Sequence, residues 1–524
     1  MGGWYSRPGS PDLPSVDGRW KTRTVCLAWF AFFGVSFVLY AATANRGAQW
    51  QDSGYHILRI VTQEPLNPLG LALSHPLHHW LGRIAVSFAP LEPCFAITLV
   101  SALAAAMAVA NTFGCVVALT RHWPAAIFAA LSLAVTHTFW QMATRTETYT
   151  LAAALLSGEC WCLIRFAQTR RPVFLWGTLL LNGLGVSNHL LAALTTPVLV
   201  VVALYAARMG MVRIRGFALG AVAWVIGAAP YGFMVLHEYI RSSDLAGTLY
   251  SAVFGHGYRD DVLNTTLTAR ELLVGGAFIL LNFPNLLLPA AALGLAMGGR
   301  LGVPTLVRRA LVFALFIHAG FVLRYPMWDR YTFFLPMYVL LSIFGGIGFA
   351  GILDRAKNRR RVFAAGAAWA LLGLTPCAYA LLPDLGRHCN VLAGVERHKP
   401  YRDDYEYVFT PWSIVERSAE RMSREAVALA GADGIIVVED RMAEFAVRYQ
   451  ALRAEYDELE IISNLSAETA SRAVDARKPV VLVPANAETP RSEPPIGSWQ
   501  RVGDLYLLLH GNRSPGRTTE NQGF

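Results

Sequence analysis

A chain of 524 residues that is 54% hydrophobic and only 15% charged, with a mean hydropathy of +0.38, is not a soluble globular protein, in which charged residues make up about 25%. A net charge of +9 would point to nucleic acid in a soluble chain. Here the excess Lys and Arg sit in short segments between long apolar runs, so nucleic acid is set aside and the fold class is a polytopic α-helical membrane protein.

Residues 1–24 are polar, with Arg7, Arg19, Lys21 and Arg23, and precede an apolar run at 25–43. A basic flank before an apolar run also describes a signal peptide, with Ala42-Thr43-Ala44 as its cleavage site. The length of the run and the many later runs favour an uncleaved anchor. Further runs lie near 94–119, 123–141, 148–168, 173–187, 190–207, 216–237, 272–299, 306–323, 331–351 and 362–382. Each approaches the length of a span, which predicts about eleven transmembrane helices. Ser187-Asn188-His189 interrupts the stretch 173–207, so the helix boundary there is open.

With a cytoplasmic N-terminus, the inside loops hold Arg121, Arg170, Arg171, Arg208, Arg213, Arg215, Arg300, Arg308 and Arg309, then Arg355, Lys357 and Arg359 to Arg361. The outside loops carry Asp52, Glu64, Glu92, Glu147, Glu238, Asp244, Asp260, Asp261 and Asp329. Alternate loops obey the positive-inside rule. The transmembrane domain is therefore 25–383, with a first extracytoplasmic loop at 44–93 and a multi-pass placement that fits a bacterial inner membrane. Residues 384–510 emerge on the outer side and mix acids with bases. Within them Gly434–Val438 and Pro479–Val483 read as buried strands, and Ser413–Ala430 and Arg441–Glu458 as amphipathic helices, which makes a small α/β domain. The segment 511–524 is expected to be disordered. There is no internal repeat. The seven cysteines lack zinc spacing, and a bridge between Cys94 and Cys389, both outside, is open.

The polar clusters of the outer side carry the candidate chemistry. Asp52, beside Ser53-Gly54 just past the first span, suits a catalytic base, a metal ligand or a helix cap. Glu147, in Thr144-Arg145-Thr146-Glu147-Thr148-Tyr149, is either functional or a cap paired with Arg145. His75, His78 and His79 invite a metal, but Pro76 stands inside the group and no Cys or Glu of suitable spacing joins them. Hydrogen bonding to a phosphate or hydroxyl fits them better. His189 is a buried structural histidine or a functional one. Arg324 to Tyr331 is the densest cluster, where Arg330 suits a phosphate and the aromatic residues suit interfacial anchoring. Asn264-Thr265-Thr266 and Asn464-Leu465-Ser466 match the glycosylation sequon.

At these residues the sequence resembles the polytopic type C glycosyltransferases, and most closely a branch that includes a eukaryotic protein O-mannosyltransferase and many bacterial members. The resemblance rests on Asp52-Ser53-Gly54, His75-Pro76-Leu77-His78-His79-Trp80-Leu81-Gly82-Arg83, Thr138-Phe139-Trp140-Gln141 with Glu147-Thr148-Tyr149-Thr150-Leu151, Gly183 to His189, and Asp329-Arg330-Tyr331 with Phe334-Leu335-Pro336. It is best over about residues 25–205. Two departures stand out: Tyr55 replaces the Glu that members carry after Asp-Ser-Gly, and a longer His-Pro-Pro motif is reduced to His75-Pro76-Leu77. The resemblance implies transfer of a sugar from a polyprenyl-phosphate donor to an acceptor hydroxyl (on protein, lipid or glycan) at the extracytoplasmic face, with inversion at the anomeric carbon. It implies Asp52 as the base, cations for the leaving phosphate drawn from Arg330, Arg83, Arg145 and His189, and Glu147 on the sugar or orienting a cation, with Asp329 and His75 as further binding residues. No cofactor is called for, and a divalent cation is left open. The rival reading from another class is a transporter or lipid-linked-sugar flippase.

Overall fold

The computed structural model describes residues 18–327, 329–356 and 358–509. Most of the segment 1–24 and all of 511–524 thus lie outside the described residues. Helix α1 (Gly18–Thr43) leads into two short helices, α2 (Gln51–Thr62) and α3 (Pro76–Phe88). Then come α4 (Pro93–Thr120), the pair α5 (Trp123–Ala134) and α6 (His137–Ala143) bent by 65°, and α7 (Tyr149–Thr169). They are followed by α8 (Pro172–Asn188), α9 (Thr196–Arg208), α10 (Ile214–Ser242), α11 (Leu245–Phe254) and α12 (Arg259–Leu263). The pair α13 (Ala269–Asn282) and α14 (Leu287–Met297) is bent by 107°, and α15 (Thr305–Arg324), α16 (Leu335–Arg355) and α17 (Asn358–His388) complete the bundle.

Among the described residues seven helices are long and apolar enough to cross a membrane, or up to nine if each bent pair is one span. The expectation of about eleven differs at the two apolar runs around Ser187-Asn188-His189, which form helices of only 17 and 13 residues. Hydrogen bonds explain the break. Ser187 Oγ donates to Gly227 O at 2.8 Å and Asn188 Nδ2 to Thr148 O at 2.9 Å. Below it, the buried Glu159 carboxylate accepts from Asn182 Nδ2 and Thr195 Oγ1, both at 3.3 Å. Satisfied backbone and side-chain groups are what let a helix stop within an apolar layer. Next to this break α8 and α10 touch backbone to backbone, because a Cβ on Gly183 would stand 2.2 Å from Trp224 O and one on Gly227 2.3 Å from Leu180 O.

The C-terminal region contains α18 (Asp404–Phe409), α19 (Ser418–Ala430), α20 (Arg441–Arg453) and α21 (Ala467–Asp475) around a five-stranded sheet. The strands are β1 (Ile435–Val438), β2 (Glu460–Ile462), β3 (Val480–Val483), β4 (Ser498–Val502) and β5 (Leu505–Leu509), in the order β2-β1-β3-β5-β4. The first three are parallel, while β5 runs antiparallel to both β3 and β4. The strands expected at Gly434–Val438 and Pro479–Val483 form over Ile435–Val438 and Val480–Val483 and are buried along those lengths. The helix expected from Ser413 starts at Ser418 instead, because Ser413 is spent on docking: its N donates to Thr43 O at 3.0 Å and its Oγ meets Thr144 Oγ1 at 3.0 Å. The helix expected to reach Glu458 stops at Arg453, and Glu455 turns left-handed with φ 56°. Cys94 and Cys389 are both free, the first buried and the second exposed, so no bridge joins them.

The two parts meet at one end of the bundle. Trp50 Nε1 donates to Ser418 Oγ at 2.7 Å and Asn45 Nδ2 to Glu416 O at 2.7 Å. The Phe445 ring of α20 lies 4.5 Å from that of Tyr55 on α2. The loop after α1 is therefore held between bundle and sheet domain.

Candidate active site

The turn after α1 is built around Gln49. Its Oε1 accepts from Thr146 N at 3.0 Å and its Nε2 donates to Thr98 Oγ1 at 2.9 Å, which ties the turn to α4 and to the loop before α7. α2 then starts so tightly that a Cβ on Gly54 would fall 2.2 Å from Gln49 O. Asp52 lies in the first turn of α2 without capping it. Its side chain is accessible, and among the described residues it has neither a hydrogen bond nor an ion pair. Ser53, next along, donates from Oγ to Glu147 Oε1 at 2.6 Å. Glu147 is buried, and its backbone is clamped by Ser101, whose Oγ accepts from Glu147 N and donates to Glu147 O at 3.0 Å each.

Asp329 completes a group of three carboxylates close enough to feel one another. Crowding by protein, and then the charge of Asp329, pushes the Asp52 carboxyl up to about 6; its contact with solvent limits that shift. Burial, and then the charge of Asp52, pushes Glu147 up to about 8. Burial raises Asp329 as well. Like charges and desolvation both favour the protonated form. The Arg145 pairing considered for Glu147 is not formed; Glu147 takes the Ser53 hydroxyl instead.

Beside the carboxylates lies a cluster of histidines. His75 sits in the left-handed region at φ 49°, ahead of α3. Its Nδ1 is 2.8 Å from Asn188 O and its ring stacks on His189 with centroids 4.8 Å apart. The His56 ring, one turn after Asp52, is 5.5 Å from His75 and 5.3 Å from His78. Both ring nitrogens of His78 are buried, and among the described residues neither has a partner. Burial holds His75 and His79 down at about 4 and His78 at about 3, so these rings are neutral at pH 7. Arg59, fully buried, gives its guanidinium to Glu64 O at 3.2 Å, to Ser74 O at 3.3 Å and to Pro65 O. His189 and Phe333 both face the Tyr149 ring, at 5.2 and 5.3 Å. No group of three or more His, Cys, Asp or Glu among the described residues is arranged to hold a metal ion.

The cations named from the sequence are placed less favourably. Arg145 gives its Nε to Ser413 Oγ and an Nη to Tyr407 O, both at 3.1 Å, and lies 4.2 Å from the Tyr407 ring centre, so it fastens the C-terminal region to the bundle. Arg330 is buried, with its guanidinium 3.4 Å from Tyr325 O and from Glu271 O. Arg83 reaches Ile60 O at 3.4 Å, eight residues beyond Asp52, or about 12 Å along the axis of α2. The structure thus gathers Asp52, Glu147, Asp329, His75 and His189, and leaves Arg83 and the guanidinium of Arg145 otherwise engaged.

Residues 72–211 match the model of the protein O-mannosyl-transferase TMEM260 N-terminal domain. No curated protein matches the chain by sequence. Among solved structures, it superimposes on ArnT from Cupriavidus metallidurans bound to undecaprenyl phosphate with a TM-score of 0.58, 14% identity, and coverage of 92% of this chain and 97% of that one. The chain has the type C glycosyltransferase fold. A looser likeness, TM-score 0.48 with 12% identity over 88% of this chain and 70% of the other, is to the archaeal oligosaccharyltransferase AglB from Archaeoglobus fulgidus in complex with an inhibitory peptide and a dolichol-phosphate.

In this type C fold, and with its several apolar helices, the chain is an integral multi-pass membrane protein. Three residues near the carboxylates escaped the sequence reading. Tyr258 lies within electrostatic reach of Asp52, Asp329 and Arg441, and Arg397 within reach of Asp329. The signal for Tyr258 was Gly255-His256-Gly257, which lets His256 N bond to Leu69 O at 2.7 Å while Gly255 and Gly70 approach closely. Arg397 and Arg441 had no local signal, because they come from the C-terminal domain.

Proposed function

We propose that this protein is a membrane glycosyltransferase that moves a sugar from a polyprenyl-phosphate donor to an acceptor hydroxyl at the extracytoplasmic face. The observation that carries this reading is Asp52: an accessible carboxylate, unpaired among the described residues, at the membrane edge of a type C fold. Asp52 takes the acceptor proton, the acceptor oxygen bonds to the anomeric carbon, and the bond from that carbon to the phosphate oxygen breaks with its electron pair left on the polyprenyl phosphate. One displacement inverts the anomeric centre. A carboxyl held up at about 6 is ionised at pH 7 and still basic enough to accept a proton.

The leaving phosphate needs donors already in place. The His78 and His189 rings, with Arg59 behind them, support that role better than Arg83 or Arg145, while His75, whose neutral ring gives its one N–H to Asn188 O, stacks on His189 and orients it. Glu147, held by Ser53, orients the sugar. For the carrier chain, the groove between α9 and α15 offers about 490 Å³ of apolar space lined by Val198, Val201, Val202, Phe313 and Ile317.

The test is sugar transfer in membranes supplied with radiolabelled polyprenyl-phosphate sugars, with wild type and Asp52→Asn compared at matched expression. Loss of transfer only in the variant is the expected result. Equal transfer by both would remove Asp52 from the mechanism, and no transfer by wild type from any donor of a full panel would overturn the reading.

A further inference from the structure

The surroundings of the carboxylates are not supplied by the bundle alone. Arg441 opens α20, one turn before Phe445, and Phe445 packs on Tyr55, three residues after Asp52. Asp440 caps the same helix through Met442 N at 3.0 Å and is paired with Lys399, which also donates to Ala485 O at 2.9 Å. That pairing holds the segment carrying Arg397 beside Arg441. These residues stand at the carboxyl ends of β1 and β3, where the chain leaves β1 for β2 on one side and then crosses to β3 on the other. The crevice at such a reversal is the usual ligand position in an open parallel sheet.

Two arginines near these residues are paired: Arg402 with Asp404, and Arg387 with Asp384 and Asp403. Arg397 and Arg441 are different. Both are exposed, and among the described residues neither guanidinium has a hydrogen bond or ion pair. Arg397 lies within electrostatic reach of Asp329, and Arg441 within reach of Tyr55 and Tyr258, both of which also feel Asp52. Carboxylates alone would repel an anionic molecule, and free guanidinium forks beside them reverse the preference.

We propose that Arg397 and Arg441 form an anion subsite for the acceptor, so that the acceptor carries a phosphoryl or carboxyl group close to the hydroxyl that Asp52 deprotonates. The proposal rests on the transfer reading above. It divides the work between the two parts of the molecule, the C-terminal domain selecting acceptors by charge while the bundle activates the donor.

The test follows two products in native membranes supplied with radiolabelled polyprenyl-phosphate sugar: label incorporated into membrane material and label released as free sugar by water. Arg397→Gln/Arg441→Gln is expected to lower the ratio of incorporated to released label at least about tenfold, while Arg397→Lys/Arg441→Lys keeps most of it. Competition by glycerol 3-phosphate against competition by glucuronate then tells a phosphoryl from a carboxyl acceptor. An unchanged ratio in the Gln variant, with incorporation intact, would overturn the subsite and leave the arginines as counter-charges to Asp329. Equal falls in both products would also overturn it, by placing the arginines in donor chemistry. Neither product from wild type would refute the transfer reading itself, and the subsite with it. Thermal unfolding of the purified variants separates these outcomes from misfolding, and the single substitutions replace the double one if it does not fold.

Discussion

Several charged groups of the C-terminal domain are partnered in a way that those of the candidate site are not. In the domain, Lys399 meets Asp440, Arg402 meets Asp404 and Arg448 meets Glu444. Ion and partner sit together and hold loops and helix ends in register. At the site, Asp52, Glu147 and Asp329 stand together without a cation bonded to any of them among the described residues, and two nitrogens of His78 are buried with no partner. Unpaired charge and unsatisfied polar atoms cost stability. A cluster of open carboxylates and imidazoles of this kind is a candidate ligand site.

That contrast can be undone by substitution, and the largest effect belongs to Asp52. Asp52→Asn is expected to cost about 10²- to 10⁴-fold in transfer, the usual worth of a positioned base. In wild type the rate should fall as pH drops through about 6, because the base must be ionised to act; a pH profile of transfer checks both. Next comes Arg145→Ala. If Arg145 is a fastener, its loss removes charged hydrogen bonds to Ser413 and Tyr407 and costs roughly 2–3 kcal/mol, read as lowered unfolding temperature and faster proteolysis within 404–418. Gly54→Ala drives a Cβ into Gln49 O and should cost about 1–3 kcal/mol by overpacking, with transfer falling alongside stability.

Glu147→Gln tests the same contrast from the other side. The folded-state pKa of about 8 lies above the ordinary value of 4.5, so the folded protein binds the proton more tightly than the unfolded chain. Wild-type stability therefore declines as pH rises from about 4.5 to about 8. The Gln variant lacks that decline, so its unfolding temperature should gain on wild type across this window and not below it. The smallest effect belongs to Arg83→Ala, whose only bond among the described residues is the long one to Ile60 O; stability should stay within about 0.5 kcal/mol and transfer close to wild type.

Much of the fold was legible from the chain, for identifiable reasons. Apolar runs of span length and basic loops alternating with acidic ones are local properties, so the bundle and the emergence of Asp52, Glu147 and Asp329 at a common place could be read directly. The continuous apolar strands Ile435–Val438 and Val480–Val483 were equally plain, since a parallel strand buried on both faces needs no partner to announce itself. The break at Ser187-Asn188-His189 was visible as an interruption, but whether it divided two spans depended on Thr148, Gly227 and Glu159, all distant in sequence.

The sequence by itself determined where the chain can enter a membrane and which residue types wait at its edge, because hydropathy and charge act over about 20 residues at a time. Only the tertiary structure decided which of those residues stand together. It turned Arg145 toward Ser413, left Asp52 unpaired, stacked His75 on His189, and brought Arg397 and Arg441 across from a separate domain. Side-chain partnership depends on distances between segments hundreds of residues apart, and no local pattern carries that information.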